Sequence, residues 1–238
     1  MELPREITKA ITSSPQSLFI YSPPKAGKTT LGAFLPDSLL IDLEKGSNFV
    51  DAVKIQISDV KEIWELCEEV KKQGNPYKYG ILDTTTKLEE MVIPLATTLY
   101  TQTPMGANYK GDNVLTLPQG AGYLYLREAY MKIIRKLESV FPRMIYFGHL
   151  KENILDKAGK EVSAKDIDLT GKLRNIACAN ADAIGYLYRE NNNTVLSFKT
   201  NQDIICGARP EHLRNQDIVV LETVDGKLIP HWDRIYID

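Results

Sequence analysis

The chain has 238 residues, of which 43% are hydrophobic and 25% are charged, and its formal net charge is −2. This composition fits one large globular domain and excludes the disordered and fibrous classes. Because the net charge is close to zero, a general attraction to polyanions is excluded, and any binding of nucleic acid must come from local loops or from assembly.

The cysteines and the start of the chain indicate the cellular compartment in which the protein is expected. Cys67, Cys178 and Cys206 are far apart in the sequence and form no CxxC pair, which disfavours a disulfide framework and a zinc site. The start, MELPREITKA, lacks the apolar core of a signal peptide, and no apolar run approaches the ~20 residues that span a bilayer. We therefore expect a soluble protein of the cytoplasm.

The first three quarters of the chain predict an alternation of strands and helices. Asp59 and Glu62 form a capping-box pattern at the start of one helix, and Gly74 closes it. Apolar runs that end in turn residues predict buried parallel strands. In chain order the elements are a strand over 17–22, a helix over 28–35, a strand over 38–44, a strand over 53–57, a helix over 59–73, a strand over 77–83, a helix from about 88 with a kink at Pro94, a helix over 123–140, a strand over 143–150 and a helix from about 173.

The remaining segments complete the predicted architecture. Residues 102–120 have no hydrophobic period, and a loop of that length is usually functional or mobile. TVLSFKT, residues 194–200, and the tail over 200–238 predict strands and hairpins. We expect an α/β fold with three layers and a mostly parallel central sheet, to which the tail adds antiparallel strands at one edge. No linker divides the chain, so the prediction is one domain over 1–238, with 1–16 as an N-terminal segment suited to oligomerisation.

The stretch YSPPKAGKTT, residues 21–30, has the pattern of a phosphate-binding loop, except that Ser22 stands where G-x-x-x-x-G-K-[ST] begins with glycine. Gly27 would let the backbone approach the phosphates, Lys28 would bind the outer phosphates and Thr29 would offer a hydroxyl to Mg²⁺. The alternative is a Gly/Pro turn before a helix that contains Lys-Thr by chance. The predicted nucleotide-binding residues are Ser22, Pro23, Pro24, Lys25, Ala26, Gly27, Lys28, Thr29 and Thr30.

Carboxylates at the ends of the next strands suit ATP hydrolysis. Asp83 ends the run YGILD and could hold Mg²⁺ through water; its alternative role is a cap for the helix that follows. Glu44 is the candidate for the carboxylate that polarises the attacking water, with Asp42 as its rival. A plain surface pair is the alternative for Asp42 and Glu44.

The order and spacing of these motifs resemble the RecA-like recombinase core over about residues 19–199. LLIDLEKG looks like the RecA strand that ends in Asp-x-Glu, whose glutamate activates water, and this implies that role for Glu44. YGILDTTTKL resembles its Walker B segment around Asp83. MIYFGHLKEN is similar to the strand that ends in a glutamine sensing the γ-phosphate, with His149 in the place of the glutamine. The alternative for His149 is a cap at the strand end.

The resemblance also implies where DNA and a neighbouring subunit would act. LTGKLRNIACANAD matches a RecA segment at Gly, Leu, Ala and Asp, so residues 151–170 and 102–120 fall where RecA has its second and first DNA-binding loops. RecA carries a trans-acting lysine where this chain has Lys199, and Arg209 is the alternative position; an ordinary surface cation is the alternative role for both. An aromatic ring can stack on a base and lysines can reach phosphates. The charges over 151–174 are nearly balanced, so a solvated hairpin is the alternative there, and an exposed loop tip is the alternative for Tyr109 and Lys110. The candidate DNA-binding residues are Tyr109, Lys110, Lys151, Lys157, Lys160 and Lys165.

The length of the chain and its PPKAGKTT loop resemble the phage RecA-like single-strand annealing proteins. The resemblance implies a DNA-stimulated ATPase with ATP and Mg²⁺, working on single-stranded DNA as a homo-oligomeric ring or filament, in a bacterial host, with a single-strand DNA-binding protein as a further candidate partner. Two other functions stay open: a nucleotide switch that does not hydrolyse ATP, and a small-molecule P-loop kinase. The kinase is disfavoured because residues 102–120 contain no arginine for a lid over the phosphates.

Overall fold

The computed structural model describes residues 3, 5–151, 154–155, 161–162, 165–200 and 204–238. Its helices are α1 (Lys28–Ala33), α2 (Val60–Lys72), α3 (Thr85–Met91), α4 (Ile93–Thr101), α5 (Gly122–Glu138) and α6 (Lys172–Asn180). Its strands are β1 (Ser17–Ser22), β2 (Ser38–Asp42), β3 (Lys54–Gln56), β4 (Tyr79–Asp83), β5 (Arg143–Lys151), β6 (Ile154–Leu155), β7 (Glu161–Val162), β8 (Asp166–Ile167), β9 (Ala183–Glu190), β10 (Asn193–Ser197), β11 (Gly207–Ala208), β12 (Asp217–Val224) and β13 (Lys227–Pro230).

One large sheet organises the described residues, with the strand order β13-β12-β10-β9-β1-β5-β4-β2-β3. The strands from β9 to β3 along this order pair in parallel, whereas β10, β12 and β13 pair antiparallel at one edge. The predicted fold class, a mostly parallel α/β sheet with antiparallel C-terminal strands, is therefore confirmed. The carboxyl ends of β1, β2, β4 and β5 share one edge of the sheet, where ligands of open parallel sheets bind.

Both faces of the sheet are covered by apolar layers, because alternate side chains of the central strands point to opposite faces. On one face Phe19 and Tyr146 join a cluster with α2, α4 and α5. On the other face Ile20 and Phe147 join a second cluster with α1 and with Trp232 and the residues that follow β13. The two clusters give the three layers that the alternating pattern predicts, and they fix the loops at the strand ends.

Several element boundaries differ from those predicted. Strand β2 ends at Asp42, two residues earlier than expected, so Glu44 lies in the turn that follows. Helix α3 begins at Thr85, with the Thr84 hydroxyl accepting a hydrogen bond from the Lys87 N–H as its cap. The capping box of Asp59 at α2 is present as predicted.

Strand β9 is missing from the predicted elements, although it lies beside β1 in the middle of the sheet. A glycine inside a strand weakens the sequence signal. Gly185 is required by packing, because a Cβ at this position would lie 2.5 Å from a methyl carbon of Leu196. The residue that obscures the strand in the sequence thus permits its contact with β10.

Residues 102–120 pack against α4 and α5. The Thr97 hydroxyl donates to the Asp112 carbonyl, Val114 is fully buried, and a Cβ on Gly122 would lie 1.9 Å from the Val114 carbonyl oxygen. The second half of this segment is therefore fixed to α4 and α5 by packing and by a hydrogen bond. None of the helices in the described ranges has the length and apolarity that a membrane crossing requires.

Candidate functional site

The loop between β1 and α1 contains two residues with a left-handed backbone conformation. Gly27 has a φ of 105° and directly precedes α1, and this left-handed conformation favours glycine. Lys25 also has a positive φ, 63°. The conformation explains why Gly27 is retained while the first glycine of the pattern is replaced.

Ser22 binds the lysine of the loop. The Lys28 ammonium donates to the Ser22 hydroxyl at 2.7 Å and lies 3.4 Å from the Ser22 carbonyl. Lys28 is only 7% exposed, and this burial lowers its pKa, while Asp83 and Glu44 act in the opposite sense. The serine at the first position of the pattern therefore holds the amine inside the loop, a role that glycine has no side chain to perform.

Thr29 and Asp83 meet beside this lysine. The Thr29 hydroxyl donates to the Asp83 carboxylate at 2.7 Å, and the peptide bond from Asp83 to Thr84 is cis. Burial raises the pKa of Asp83 to about 6, against the effects of the Thr29 hydrogen bond and of the Lys28 charge. A hydroxyl and a carboxylate are hard oxygen donors of the kind that Mg²⁺ takes together with water and phosphate. The two side chains fit the predicted metal position.

Glu44 lies in a network with Thr84, which follows β4, and with His149, near the end of β5. Its carboxylate accepts hydrogen bonds from the Thr84 hydroxyl at 2.8 Å and from the His149 ring at 2.9 Å. The His149 hydrogen bond lowers the pKa of Glu44, and the same bond raises the pKa of His149. The arrangement favours the charged forms of both groups, the ionised Glu44 carboxylate and the protonated His149 imidazole.

Asp42 has a different environment from Glu44. Its side chain is fully buried and accepts hydrogen bonds from the backbone N–H groups of Glu44 and Ser47 and from the Ser47 hydroxyl at 2.6 Å. Burial raises the pKa of Asp42, but the bonds from Ser47 and the neighbouring backbone outweigh it and leave the pKa lowered. Asp42 thus organises the turn that carries Glu44.

His149 is also linked to the segment that follows β5. Its carbonyl accepts from the Asp168 N–H at 2.9 Å, and its own N–H donates to the Thr86 hydroxyl at 3.2 Å. The Thr86 hydroxyl in turn donates to the Asp168 carbonyl at 3.1 Å. Leu150 pairs with Ile167 in the antiparallel β5–β8 contact. Three hydrogen bonds therefore join His149, α3 and the end of the 151–170 segment.

An open cleft of about 530 Å³ borders this network. The cleft is lined by Leu43, Glu44, Lys45, Thr86, Lys87, Glu90 and His149.

A larger cavity of about 730 Å³ lies near Asp182, whose carboxylate accepts a hydrogen bond from the Ser17 N–H at the start of β1. That cavity is at the end of the sheet opposite the phosphate-binding loop, so the side-chain chemistry and not the volume identifies the site.

The two predicted trans-acting cations are paired within their own chain. Lys199 lies 2.5 Å from Asp217 of β12, and Arg209 lies 3.0 Å from Asp182. Neither side chain approaches the phosphate-binding loop of its own chain. Their action on a neighbouring subunit stays a prediction.

The predicted DNA-binding residues occupy several environments. The Tyr109 hydroxyl donates to the Asn113 carbonyl at 2.7 Å, and its ring makes an edge contact with Tyr100. Lys151 pairs with Asp168 at 3.5 Å. Lys110 is exposed, Lys165 lies over the ring of Tyr186, and Lys157 and Lys160 fall outside the described residues.

Two contacts at this edge were missed by the sequence reasoning. Thr84 directly follows Asp83 within the segment that resembles Walker B, and its hydrogen bond to Glu44 was not predicted. Arg189, on β9, donates from its Nε to the Ala26 carbonyl of the phosphate-binding loop at 3.5 Å. No motif includes Arg189, and its strand was not predicted.

The chain was compared with family models, curated proteins and solved structures. A family model described as AAA domain matches residues 14–210. A crystal structure of the RadB recombinase is similar over 90% of this chain and 90% of that chain, with 13% sequence identity and a TM-score of 0.44. No match was found among the curated proteins.

Proposed function

Because this chain belongs to the AAA domain family, we propose that it is an ATP-hydrolysing protein that binds single-stranded DNA and promotes annealing or recombination. The general activity follows from membership of the family: the chain is a nucleotide-binding ATPase of the P-loop class. The DNA-dependent part rests on one observation, the hydrogen bonds that run from Glu44 through His149 to Asp168.

The phosphates of ATP would occupy the loop that contains Gly27, Lys28 and Thr29. Binding replaces the Ser22 contact of the Lys28 amine by contacts to the outer phosphates, and the buried position strengthens these charge-assisted bonds. Thr29 and Asp83 would hold Mg²⁺, which when bound neutralises charge that develops on the phosphates.

Glu44 is the proposed base for the attacking water. It is ionised, and it lies in the turn after β2, which β5 and β4 separate from β1, on the same side of the loop as Asp83. For this step the carboxylate has to exchange at least one of its contacts to Thr84 and His149 for a contact to water. We propose that a γ-phosphate draws the His149 ring away from Glu44 and thereby frees the carboxylate.

The same movement would be transmitted to the proposed DNA-binding segment. His149 is bonded through its backbone to Asp168 and Thr86, and β8 pairs with β5 immediately after it. A shift at His149 would therefore change the hydrogen bonds and the strand pairing that hold the end of the 151–170 segment. In this proposal ATP orders a DNA-competent state of the segment, and hydrolysis releases it.

Assembly into a homo-oligomeric ring or filament is part of the proposal. Ile7 and Ile11, in the N-terminal segment, are each 96% exposed. Apolar side chains this exposed are suited to burial against another copy of the chain. Charges of both signs in 151–170 leave the isolated chain with little attraction for DNA, so several copies along one strand would add their contacts.

DNA binding is tested by the fluorescence anisotropy of a labelled single-stranded oligonucleotide, titrated with protein in the presence of a non-hydrolysable ATP analogue. We expect saturable binding that weakens steeply with salt and that is lost without nucleotide or in Lys28→Ala. Lys72→Ala, an exposed lysine of α2, is the matched control and should bind as the wild type does. Absence of salt-sensitive binding in the nucleotide-loaded wild type would remove the DNA part of the proposal.

A nucleotide switch that does not hydrolyse ATP is the second candidate. It is favoured by the two hydrogen bonds that occupy Glu44. In that case Glu44→Gln would keep both nucleotide-dependent DNA binding and the subsequent release of DNA. If hydrolysis drives the cycle, the same variant would bind DNA and fail to release it.

A further inference from the structure

Arg189 contacts the phosphate-binding loop from a strand that carries no part of the motif. Its Nε–H donates to the Ala26 carbonyl at 3.5 Å. One of its terminal nitrogens lies 3.8 Å from the position that a Cβ on Gly27 would occupy. The guanidinium thus reaches both residues that precede Lys28.

The register of β9 directs this side chain toward the loop. Strand β9 runs parallel to β1, with Tyr186 opposite Tyr21, and it continues past the point where β1 ends. Leu187 lies two residues before Arg189 and shares its face, and it packs in the same cluster as Ala26 and Leu31. The backbone therefore places Arg189 on the face of the sheet that carries the phosphate-binding loop.

Arg189 differs from the predicted trans-acting cations in its charge environment. Within the described ranges no carboxylate lies at ion-pair distance from Arg189, whereas Lys199 and Arg209 each have a carboxylate partner. A guanidinium that has no carboxylate partner among the described residues, and that lies beside a proposed polyphosphate-binding loop, is a suitable partner for that anion. Its planar fork can donate two parallel hydrogen bonds to phosphate oxygens.

We propose that Arg189 binds the phosphate chain of the nucleotide within its own subunit, as a second cation beside Lys28. The inference rests on the proposed ATP binding. Arg189 approaches from the β9 side of β1, whereas Asp83 and Glu44 follow strands on the other side. It is therefore a nucleotide-binding residue of the isolated subunit, and affinity for ATP does not require a cation from a neighbour.

The test is isothermal titration of ATP with Mg²⁺ into wild-type protein, Arg189→Ala and Arg189→Lys. Arg127→Ala removes an arginine of α5 and is the matched control. We expect Arg189→Ala to raise the Kd about tenfold or more, as for a lost hydrogen bond to a charged group, with Arg189→Lys in between and Arg127→Ala unchanged. Thermal unfolding without nucleotide should be alike in all four proteins, and the rise in Tm with ATP should be smallest for Arg189→Ala.

The outcomes separate this inference from the function on which it rests. If Arg189→Ala binds ATP with wild-type affinity while Lys28→Ala does not bind, the role of Arg189 is overturned and the nucleotide site stands. A larger loss of affinity in Lys199→Ala or Arg209→Ala than in Arg189→Ala would also overturn it, in favour of a cation from a neighbouring subunit. If the wild type fails to bind ATP, both proposals fall.

Discussion

The Glu44 carboxylate and the His149 ring are joined by a hydrogen bond of 2.9 Å, although 105 positions separate them in the chain. The contact arises because both residues lie near the carboxyl ends of strands in one parallel sheet, with Thr84 at the end of the strand between them. The proposed water-activating residue is thus bonded directly to the residue that we propose responds to the γ-phosphate. This pair and the neighbouring carboxylates Asp83 and Asp42 lead to four predictions.

Replacement of Glu44 by Gln should separate binding from hydrolysis. The amide can still accept a hydrogen bond from Thr84 but takes no proton from water, so the kcat for ATP hydrolysis should fall by about 10² or more. The Kd for ATP should change little. Steady-state hydrolysis and ATP titration measure the two quantities, and wild-type kcat in Glu44→Gln would show that another residue is the base.

The Glu44–His149 pair should stabilise the fold in a limited pH window. His149 has a pKa raised above its ordinary 6.5, so its contribution is present below that value and lost as the pH rises through the raised pKa. Glu44 has a pKa lowered from 4.5, so its contribution is present above that value and lost as the pH falls through the lowered pKa. The pair is therefore most stabilising between these two ordinary values.

A double-mutant cycle with Glu44→Gln and His149→Gln measures this coupling. Denaturant unfolding of the four proteins should give a favourable coupling free energy at about pH 6 and almost none at about pH 9, where the imidazole is neutral. Equal coupling at both pH values would mean that the pair interacts only as a neutral hydrogen bond.

Asp83→Asn should make the protein more stable and abolish its ATP hydrolysis. The pKa of Asp83 is about 6 in the folded protein against an ordinary 3.8, so the folded state loses stability as the pH rises through this interval. Removing the buried charge should increase the free energy of unfolding without nucleotide by on the order of 1–3 kcal/mol at about pH 7.5. ATP hydrolysis should be lost, because the amide is a poor ligand for Mg²⁺.

The exposed Asp51 provides the matched control for that variant. Asp51→Asn removes the same charge at the surface and should change neither unfolding nor hydrolysis. A less stable Asp83→Asn protein would show that the carboxylate contributes more through its Thr29 bond than burial costs it.

Asp42→Asn should lower stability while leaving the identity of the base unchanged. The Asp42 carboxylate holds backbone N–H groups of the turn after β2 and the Ser47 hydroxyl, and an amide can accept only part of these bonds. We expect a loss on the order of 2 kcal/mol in denaturant unfolding. Undiminished stability together with lost hydrolysis would instead make Asp42 the rival base.

The local elements of the fold could be predicted because their signals are local. The capping box at Asp59 and the apolar runs of β1, β4 and β5 each lie within a few residues of sequence. The order of motifs likewise located the loop at Gly27 and the carboxylate of Asp83. These features need no knowledge of which strands become neighbours.

The features that were missed depend on contacts between distant segments. Strand β9 contains Gly185, which looks unfavourable until its contact with Leu196 is known. Ser22 departs from the loop pattern in the sequence, and only the fold shows that its hydroxyl accepts a hydrogen bond from Lys28. Arg189 reaches the loop through strand pairing, which no spacing in the sequence expresses.

The central claim is tested most directly by steady-state ATP hydrolysis with and without a single-stranded oligonucleotide, in wild-type protein and in Lys28→Ala. The account predicts measurable hydrolysis by the wild type, a several-fold increase with the oligonucleotide, and a loss of about 10² or more in Lys28→Ala. Hydrolysis by Lys28→Ala at the wild-type rate, or a wild-type rate that single-stranded DNA leaves unchanged, would contradict it.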